Sequence, residues 1–175
     1  MREPSHHLLR VLAAVPVSSR ILDLGCGNGV HAEALCRLGF EVHACDASDS
    51  PVATTRGRLA ATGFDHAADR VRQHSIDNLG YTADTFDWIV AFRPENYVAT
   101  PDDLATLLTK ARPLIKPGQW MYLVLPNRDV FTPKLLAESA EASGWAEASA
   151  PEVVEEQGES IVRAIYRRVE PGTPR

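Results

Sequence analysis

The sequence contains few cysteines, and their spacing argues against two common kinds of site. Cys26, Cys36 and Cys45 form an odd-numbered set in which no two are separated by only two residues. A disulfide framework and a zinc site both need paired spacing. We therefore expect three reduced thiols and no bound metal, as is usual for a cytoplasmic protein.

Long apolar runs and a basic face are also missing. No stretch approaches the roughly 20 apolar residues of a membrane span, and the first ten residues lack the apolar core of a signal peptide. The formal net charge is -5, with acidic and basic residues interspersed. Duplex binding usually needs a dense basic surface, so a nucleic-acid partner is disfavoured. We expect a cytoplasmic protein with no membrane partner.

The composition is that of an ordinary globular domain. The chain has 175 residues, of which 45% are hydrophobic and 23% charged, so we expect a single domain over residues 1–170. Leu8 and Leu12 belong to an amphipathic pattern that predicts an N-terminal docking helix within residues 1–18, with His6 and His7 on its exposed flank. Residues 171–175 are predicted to form a solvated tail.

Apolar runs bounded by turn residues alternate along the chain with helical patterns. This order predicts an α/β fold with a doubly wound, mostly parallel seven-stranded Rossmann-like sheet and a C-terminal antiparallel hairpin. The predicted strands cover residues 20–24, 41–45, 70–74, 86–92, 119–125, 145–154 and 160–169, the last two joined by a polar turn at 155–159. The predicted helices begin near residues 30, 50, 100 and 132. Such sheets bind ligands at the carboxyl ends of their strands.

A glycine-rich loop follows the first strand, where a mononucleotide site is expected. Its sequence is Gly25-Cys26-Gly27-Asn28-Gly29, but Val30 stands where a dinucleotide fingerprint has its third glycine. Asp23, just before the loop, is unfavourable beside a pyrophosphate. Asp46 ends the second strand, where a carboxylate can accept hydrogen bonds from ribose hydroxyls. The pattern favours a positively charged nucleoside without phosphate.

These segments resemble the class I S-adenosylmethionine-dependent methyltransferases. Residues 21–29 look like the first motif of that family, and Asp46 looks like the acid that ends its second strand. Residues 84–90 are similar to the family's Ser-Phe-Asp-x-Val strand, and residues 114–118 to its Leu-Lys-Pro-Gly turn. The landmarks occur in the family's order, and the C-terminal hairpin matches its reversed last strand.

The resemblance implies S-adenosyl-L-methionine as the cofactor and assigns roles to individual residues. The backbone of Gly25 and Gly27 would approach the methionyl portion, Asp23 would lie near its amino group, and Asp46 would hold the ribose. Ser75 falls where the family usually has an acidic residue against the adenine, and its hydroxyl can still bond the exocyclic amine. The full predicted cofactor set is Asp23, Gly25, Cys26, Gly27, Asn28, Gly29, Asp46, Ala47, Ser75, Ile76 and Phe92.

Three side chains are candidates for catalysis. Phe92 or Arg93, at the end of the fourth strand, should line the mouth of the site, and Arg93 could grip a carboxylate. Glu95 is a candidate base or ammonium anchor, and His31 is a candidate neutral base if it points inward. A surface ion pair for Arg93 and Glu95, and a solvent-facing helical histidine for His31, are the structural alternatives. The segment after the fourth strand, residues 93–97, lacks the Asp/Asn-Pro-Pro-aromatic motif of amino-directed nucleic-acid methyltransferases. It also lacks the metal-ligand acids of catechol-type enzymes, so both subclasses are disfavoured.

The acceptor is not identified by the sequence. Fewer than 20 residues precede the first strand, residues 126–132 form a short link, and the hairpin turn is tight. We therefore expect an open acceptor face that a second copy, a partner protein or a large substrate closes. The leading hypothesis is methyl transfer to a small molecule or a partner-bound substrate. The alternatives are a non-catalytic S-adenosylmethionine-binding or scaffold subunit, and a NAD-dependent oxidoreductase, which Asp23 and Val30 disfavour.

Overall fold

The computed structural model describes residues 3–170, which form one seven-stranded sheet with helices on both faces. The strands are β1 Arg20–Leu24, β2 Glu41–Asp46, β3 Val71–Gln73, β4 Phe86–Phe92, β5 Ile115–Pro126, β6 Trp145–Glu156 and β7 Glu159–Arg168. The helices are α1 His6–Leu12, α2 Val30–Arg37, α3 Asp49–Ala60, α4 Ala67–Arg70, α5 Pro101–Ala111 and α6 Pro133–Ala142, with a short 3-10 turn at Arg112–Leu114. Residues 1, 2 and 171–175, including the predicted tail, lie outside the described part of the chain.

The strand order is β3-β2-β1-β4-β5-β7-β6. Strands β1 to β5 pair in parallel, and β7 pairs antiparallel with both β5 and β6. The predicted fold class is therefore confirmed. The order reverses between β1 and β4, so the crevice at the carboxyl ends of these two strands is where such sheets bind ligands.

The central strands are buried because helices cover both faces of the sheet. Ile89, Val90 and Ala91 of β4 are fully buried, as expected of a strand in a parallel sheet. Ile21 belongs to the apolar cluster that includes residues of α1, α2 and α3. Leu22, on the opposite face, belongs to the cluster with α5 and α6. This packing fixes the strand ends that carry the glycine loop.

The N-terminal helix packs against the apolar cluster on one face of the sheet. Ser5 caps α1 by accepting a hydrogen bond from the Leu8 N–H, and Leu8 and Leu12 are fully buried. His6 is exposed. The prediction that His7 is exposed is wrong, because the ring is half-buried and its Nδ1 lies 3.0 Å from the hydroxyl of Tyr122.

Several strand and turn boundaries differ from the predictions. Residues 116–118, which their likeness to the Leu-Lys-Pro-Gly turn predicts to be a turn, belong to β5, whose pairing with β4 is irregular between Phe86 and Trp88. The predicted polar turn at 155–159 is reduced to Gln157 and Gly158, both with positive φ, which suits a tight two-residue hairpin. Strand β6 therefore ends two residues later than predicted and β7 begins one residue earlier, and the hairpin tip borders the crevice. Within residues 3–170 no helix is both long enough and apolar enough to cross a bilayer.

Candidate functional site

The glycine loop joins β1 to α2 at the switch point of the sheet. Gly25 and Gly27 adopt φ values of 80° and 51°, in the left-handed region that favours glycine. A Cβ on Gly25 would lie 2.6 Å from the Cβ of Pro94, so only glycine lets the loop after β4 approach this closely. A Cβ on Gly27 would meet no atom within 4 Å. Gly27 therefore exposes its backbone to open space, where a ligand can approach.

Hydrogen bonds hold this loop against β2 and α3. The N–H groups of Gly25 and Cys26 both donate to the carbonyl of Cys45, at 2.8 and 3.0 Å. The Thr55 hydroxyl donates to the carbonyl of Gly27 at 2.9 Å. The loop is thus fixed before any ligand arrives, which lowers the ordering cost of binding.

A cavity of about 850 Å³ lies over the glycine loop. Its volume is in the upper part of the range of about 300–1,000 Å³ that is typical of small-molecule sites. Nine of the predicted site residues line it: Gly25, Cys26, Gly27, Asn28, His31, Asp46, Phe92, Arg93 and Glu95. The sequence reasoning did not select the other lining residues, which are Glu3, Val30, Arg58, Asn96, Glu156, Gln157, Glu159 and Ile161.

The remaining predicted cofactor residues, Asp23, Gly29, Ala47, Ser75 and Ile76, do not line this cavity. Ser75 is exposed, and the N–H of Asn78 donates to its carbonyl in a tight turn that carries the chain away from β3. Ile76 packs against the apolar cluster of α5 and α6. The adenine contacts assigned to Ser75 and Ile76 stay a prediction.

Asp46 is almost fully buried, with 2% exposure, and its carboxylate is well bonded. Its Oδ2 accepts the N–H of Gly27 at 3.1 Å, and its Oδ1 accepts the N–H of Ser48 at 3.1 Å. Oδ1 also accepts Asn96 Nδ2 at 2.7 Å. Asn96 was missed by the sequence reasoning, although its place four residues after β4, beside the switch point, was a usable signal.

Asp23 is equally buried but less well bonded. The N–H of Ala32 donates to its carboxyl group, while Oδ2 is buried without a hydrogen-bond partner within the described residues. Burial, with a smaller contribution from the nearby Asp46 charge, raises the pKa of Asp23 to about 7. A buried carboxylate oxygen beside the glycine loop suits a ligand that carries an ammonium or sulfonium group and disfavours a phosphate.

Arg93 connects the loop after β4 to the tip of the β6–β7 hairpin. Its φ of 52° places a non-glycine residue in the left-handed region at the cavity wall. Arg93 Nη2 donates to Glu95 at 2.6 Å, and Nη1 forms an ion pair with Glu159. Arg93 thus binds two carboxylates of the protein itself, those of Glu95 and Glu159.

His31 lies on the cavity wall, against the ring of Phe92, with 4.3 Å between ring centroids. Its Nε2 accepts the backbone N–H of Ser5 at 3.2 Å, so the neutral ring carries its proton on Nδ1. His31 thus lines the cavity, and its role in catalysis stays a prediction. Among residues 3–170, no group of three or more His, Cys, Asp or Glu side chains is arranged so that it could hold a metal ion.

The chain's own N-terminal segment and hairpin tip border the cavity. Ser5 Oγ donates to Glu156 Oε1 at 2.6 Å, and Gln157 Nε2 donates to the carbonyl of Glu3 at 2.8 Å. We call these contacts, together with the Arg93–Glu159 ion pair, the mouth clasp. The hairpin turn is tight, as predicted, but its long strands carry the tip to the cavity. The chain's own segments thus border the cavity without sealing it, and closure by a second copy, a partner protein or a large substrate stays a prediction.

The reversed strand order, the glycine loop and the acid ending β2 define a nucleoside-binding α/β protein. Two solved structures share the fold. A SAM-dependent methyltransferase from Methanosarcina mazei matches 96% of this chain and 99% of its own, with a TM-score of 0.77 and 15% identity. A SAM-dependent methyltransferase from Aquifex aeolicus matches 89% of this chain and 87% of its own, with a TM-score of 0.67 and 18% identity.

The chain belongs to the class I S-adenosylmethionine-dependent methyltransferases, because a family model described as a methyltransferase domain matches residues 21–118, more than half of it. S-adenosylmethionine is therefore the cofactor, and the NAD-dependent alternative is set aside. The ubiquinone biosynthesis O-methyltransferase of Cereibacter sphaeroides is 32% identical over 128 residues, which are 72% of this chain and 47% of that protein. The protein of the same name from Caulobacter vibrioides is 32% identical over 62% of this chain and 41% of its own length. This chain thus spans about half the length of the curated relatives it matches.

Proposed function

We propose that this chain, acting as one domain over residues 1–170, transfers a methyl group from S-adenosylmethionine to a small acceptor that is neutral or cationic. The observation that carries the proposal is a cavity of about 850 Å³ that is lined by the glycine loop and also by the hairpin tip. Its volume lies in the upper part of the range for small-molecule sites, and its lining extends from the predicted cofactor residues to the hairpin tip.

The cofactor half of the cavity is the part over the glycine loop. The exposed backbone of Gly27 would face the methionyl portion, and the carboxylate of Asp46 would receive the ribose. The unpaired oxygen of Asp23 lies just below the loop and favours positive charge above it. When bound, S-adenosylmethionine supplies a methyl group on a sulfonium, and the electron pair of the broken bond stays on sulfur.

The acceptor half is the part near the mouth clasp. Five carboxylates and two arginines line the whole cavity, and both arginines are already bonded to glutamates of the protein: Arg58 to Glu33, and Arg93 to Glu95 and Glu159. The field at the mouth is therefore negative, which disfavours phosphorylated or carboxylated acceptors.

The names of the curated relatives make a hydroxyl oxygen the first acceptor atom to test. Such an acceptor must lose a proton during transfer, so a base on the cavity wall would help. His31 and Glu95 both line the wall, and His31 would accept through Nε2 once the N–H of Ser5 is displaced. The ring of Phe92, which packs against His31 at a tilted angle, offers an apolar surface for an aromatic acceptor.

Two measurements test the proposal. Isothermal titration calorimetry should detect binding of S-adenosylmethionine and S-adenosylhomocysteine and no binding of NAD. Transfer of tritiated methyl should occur to phenols or amines and not to carboxylates or phosphate esters of similar size. Binding without transfer to any acceptor class would favour a non-catalytic binding or scaffold subunit, and turnover confined to anionic acceptors would contradict the charge argument.

A further inference from the structure

The loop after β4 places an amide side chain against the acid at the end of β2. Asn96 lines the cavity, and its Nδ2 lies 2.7 Å from Oδ1 of Asp46. A carboxylate can only accept hydrogen bonds, so the amide must present its NH2 group to Asp46 and turn its oxygen elsewhere. Within residues 3–170, this amide oxygen has no hydrogen bond of its own.

The hydrogen bonds that the Asp46 carboxylate already accepts leave it little capacity to accept more from a ligand. An ionised carboxylate offers about four lone-pair positions. Three are used, by the N–H groups of Gly27 and Ser48 and by Asn96 Nδ2. One position is left for a ligand hydroxyl, although a ribose presents two adjacent hydroxyls. Among the described residues, the amide oxygen of Asn96 is an unused acceptor on the same side chain that contacts Asp46.

We infer that Asn96 is a cofactor-binding residue that shares the ribose with Asp46. Its Nδ2 holds the Asp46 carboxylate in place, and its Oδ1 accepts the second ribose hydroxyl while Asp46 accepts the first. This inference rests on the proposed function, since it requires the nucleoside to lie in this cavity. It gives the loop after β4 a direct contact with the cofactor, in addition to the acceptor-side contacts of Arg93 and Glu95.

The position of Asn96 separates this role from a purely structural one. The side chain of Asn96 is exposed, and the hydrogen bond that it makes among residues 3–170 is the one to Asp46. The loop is anchored instead by Tyr97, which is buried and whose hydroxyl donates to the carbonyl of His74 at 2.6 Å. Substitution of Asn96 should therefore leave the fold intact.

The decisive variant is Asn96→Asp, which keeps the shape of the side chain and replaces the donor facing Asp46 with a second carboxylate. Asn96→Ala removes both contacts. Asn127→Asp is the matched control, because Asn127 is exposed, lies after β5 and does not line the cavity. The probes are S-adenosylhomocysteine and its 2′,3′-dideoxy analogue, measured by isothermal titration calorimetry, with thermal unfolding of each variant as a check on folding.

We expect Asn96→Ala to weaken S-adenosylhomocysteine binding about tenfold, as for loss of a hydrogen bond to a charged group. Asn96→Asp should weaken it about 30-fold or more, since two carboxylates then repel each other. Asn127→Asp should change it less than about twofold, as is usual for exposed sites away from a ligand. Binding of the dideoxy analogue should change less than about threefold in either Asn96 variant, because it lacks the hydroxyls that the pair receives.

Two outcomes would overturn the inference while leaving the proposed function in place. One is unchanged S-adenosylhomocysteine affinity in Asn96→Asp. The other is an equal loss for both probes, which would mean that Asn96 only shapes the loop. Failure of the unsubstituted chain to bind either probe would overturn the proposed function together with the inference.

Discussion

Replacement of Asp23 by asparagine should make the ligand-free protein more stable at pH 8. Asp23 is 2% exposed, and its Oδ2 is buried without a partner within the described residues. Burial raises the pKa of its carboxyl group from 3.8 to about 7, so the group is ionised above neutrality in an environment that disfavours the charge. The amide removes that charge and can still accept the N–H of Ala32.

The magnitude follows from the pKa difference between the folded and unfolded states. At 1.36 kcal/mol per pKa unit, ionised Asp23 destabilises the fold by about 4 kcal/mol above pH 7. Because the folded state holds this proton more tightly than the unfolded chain, stability falls as pH rises from about 4 to about 7. The new amide NH2 replaces Oδ2 and stays unpaired, which costs about 1–3 kcal/mol. The net gain at pH 8 is therefore about 2 kcal/mol.

The assay is urea unfolding of both proteins at pH 5 and pH 8, followed by circular dichroism. The advantage of Asp23→Asn should grow by about 3 kcal/mol between these two pH values, because most of the ionisation occurs between them. His43 and His74 have pKa values lowered by burial, so they add stability as pH rises. They do so equally in both proteins, and the difference between the two curves isolates Asp23.

The same substitution should weaken S-adenosylhomocysteine binding, about tenfold, because the ligand's ammonium group loses a favourable charge nearby. Stability and affinity should thus change in opposite directions. A stability difference that does not vary between pH 5 and pH 8 would refute the electrostatic argument. A stabilised variant that keeps full affinity would show that Asp23 does not interact with the cofactor.

Three further predictions concern the loop, the mouth clasp and the thiols. Gly27→Ala should keep the fold but weaken S-adenosylhomocysteine binding at least tenfold, because its methyl group enters open space in the cavity. Gly25→Ala should lower the thermal midpoint more than Gly27→Ala, because the added methyl group meets Pro94. Equal thermal midpoints of the two variants would contradict this prediction. Ser5→Ala should cost about 1–2 kcal/mol through loss of a helix cap and a second hydrogen bond, with faster hydrogen exchange in α1, and unchanged exchange would argue against the clasp. Native Cys26 should react slowly with iodoacetamide at pH 8 and rapidly in urea, because burial raises the pKa of its thiol, so fast native alkylation would show an open loop.

The parts of the site that the sequence predicts well are those in which neighbours along the chain are also neighbours in space. The glycine loop is one strand end and one helix start, so Gly25 and Gly27 are recognisable from their spacing alone. Asp46 is recognisable because a parallel sheet aligns the end of β2 with the end of β1. The fold class follows from the same local alternation of strands and helices.

The contacts that the sequence does not predict join distant segments through side chains. Asn96 and Asp46 are 50 residues apart, and their bond depends on the path of the loop after β4. Ser75, a position inferred from family order, is exposed and does not line the cavity, so its contact with the adenine stays a prediction. The half-burial of His7 leaves no pattern in the local sequence either, because it depends on the distant Tyr122.

The bonds of the mouth clasp have a consequence for folding. Ser5 and Glu156 are separated by 151 residues, and Gln157 and the carbonyl of Glu3 by 154. Loops this long close late, after nearby strands and helices have formed. A refolding chain would therefore complete the glycine loop before the mouth clasp forms, and the capacity to hold a nucleoside would return before the border of the cavity is complete.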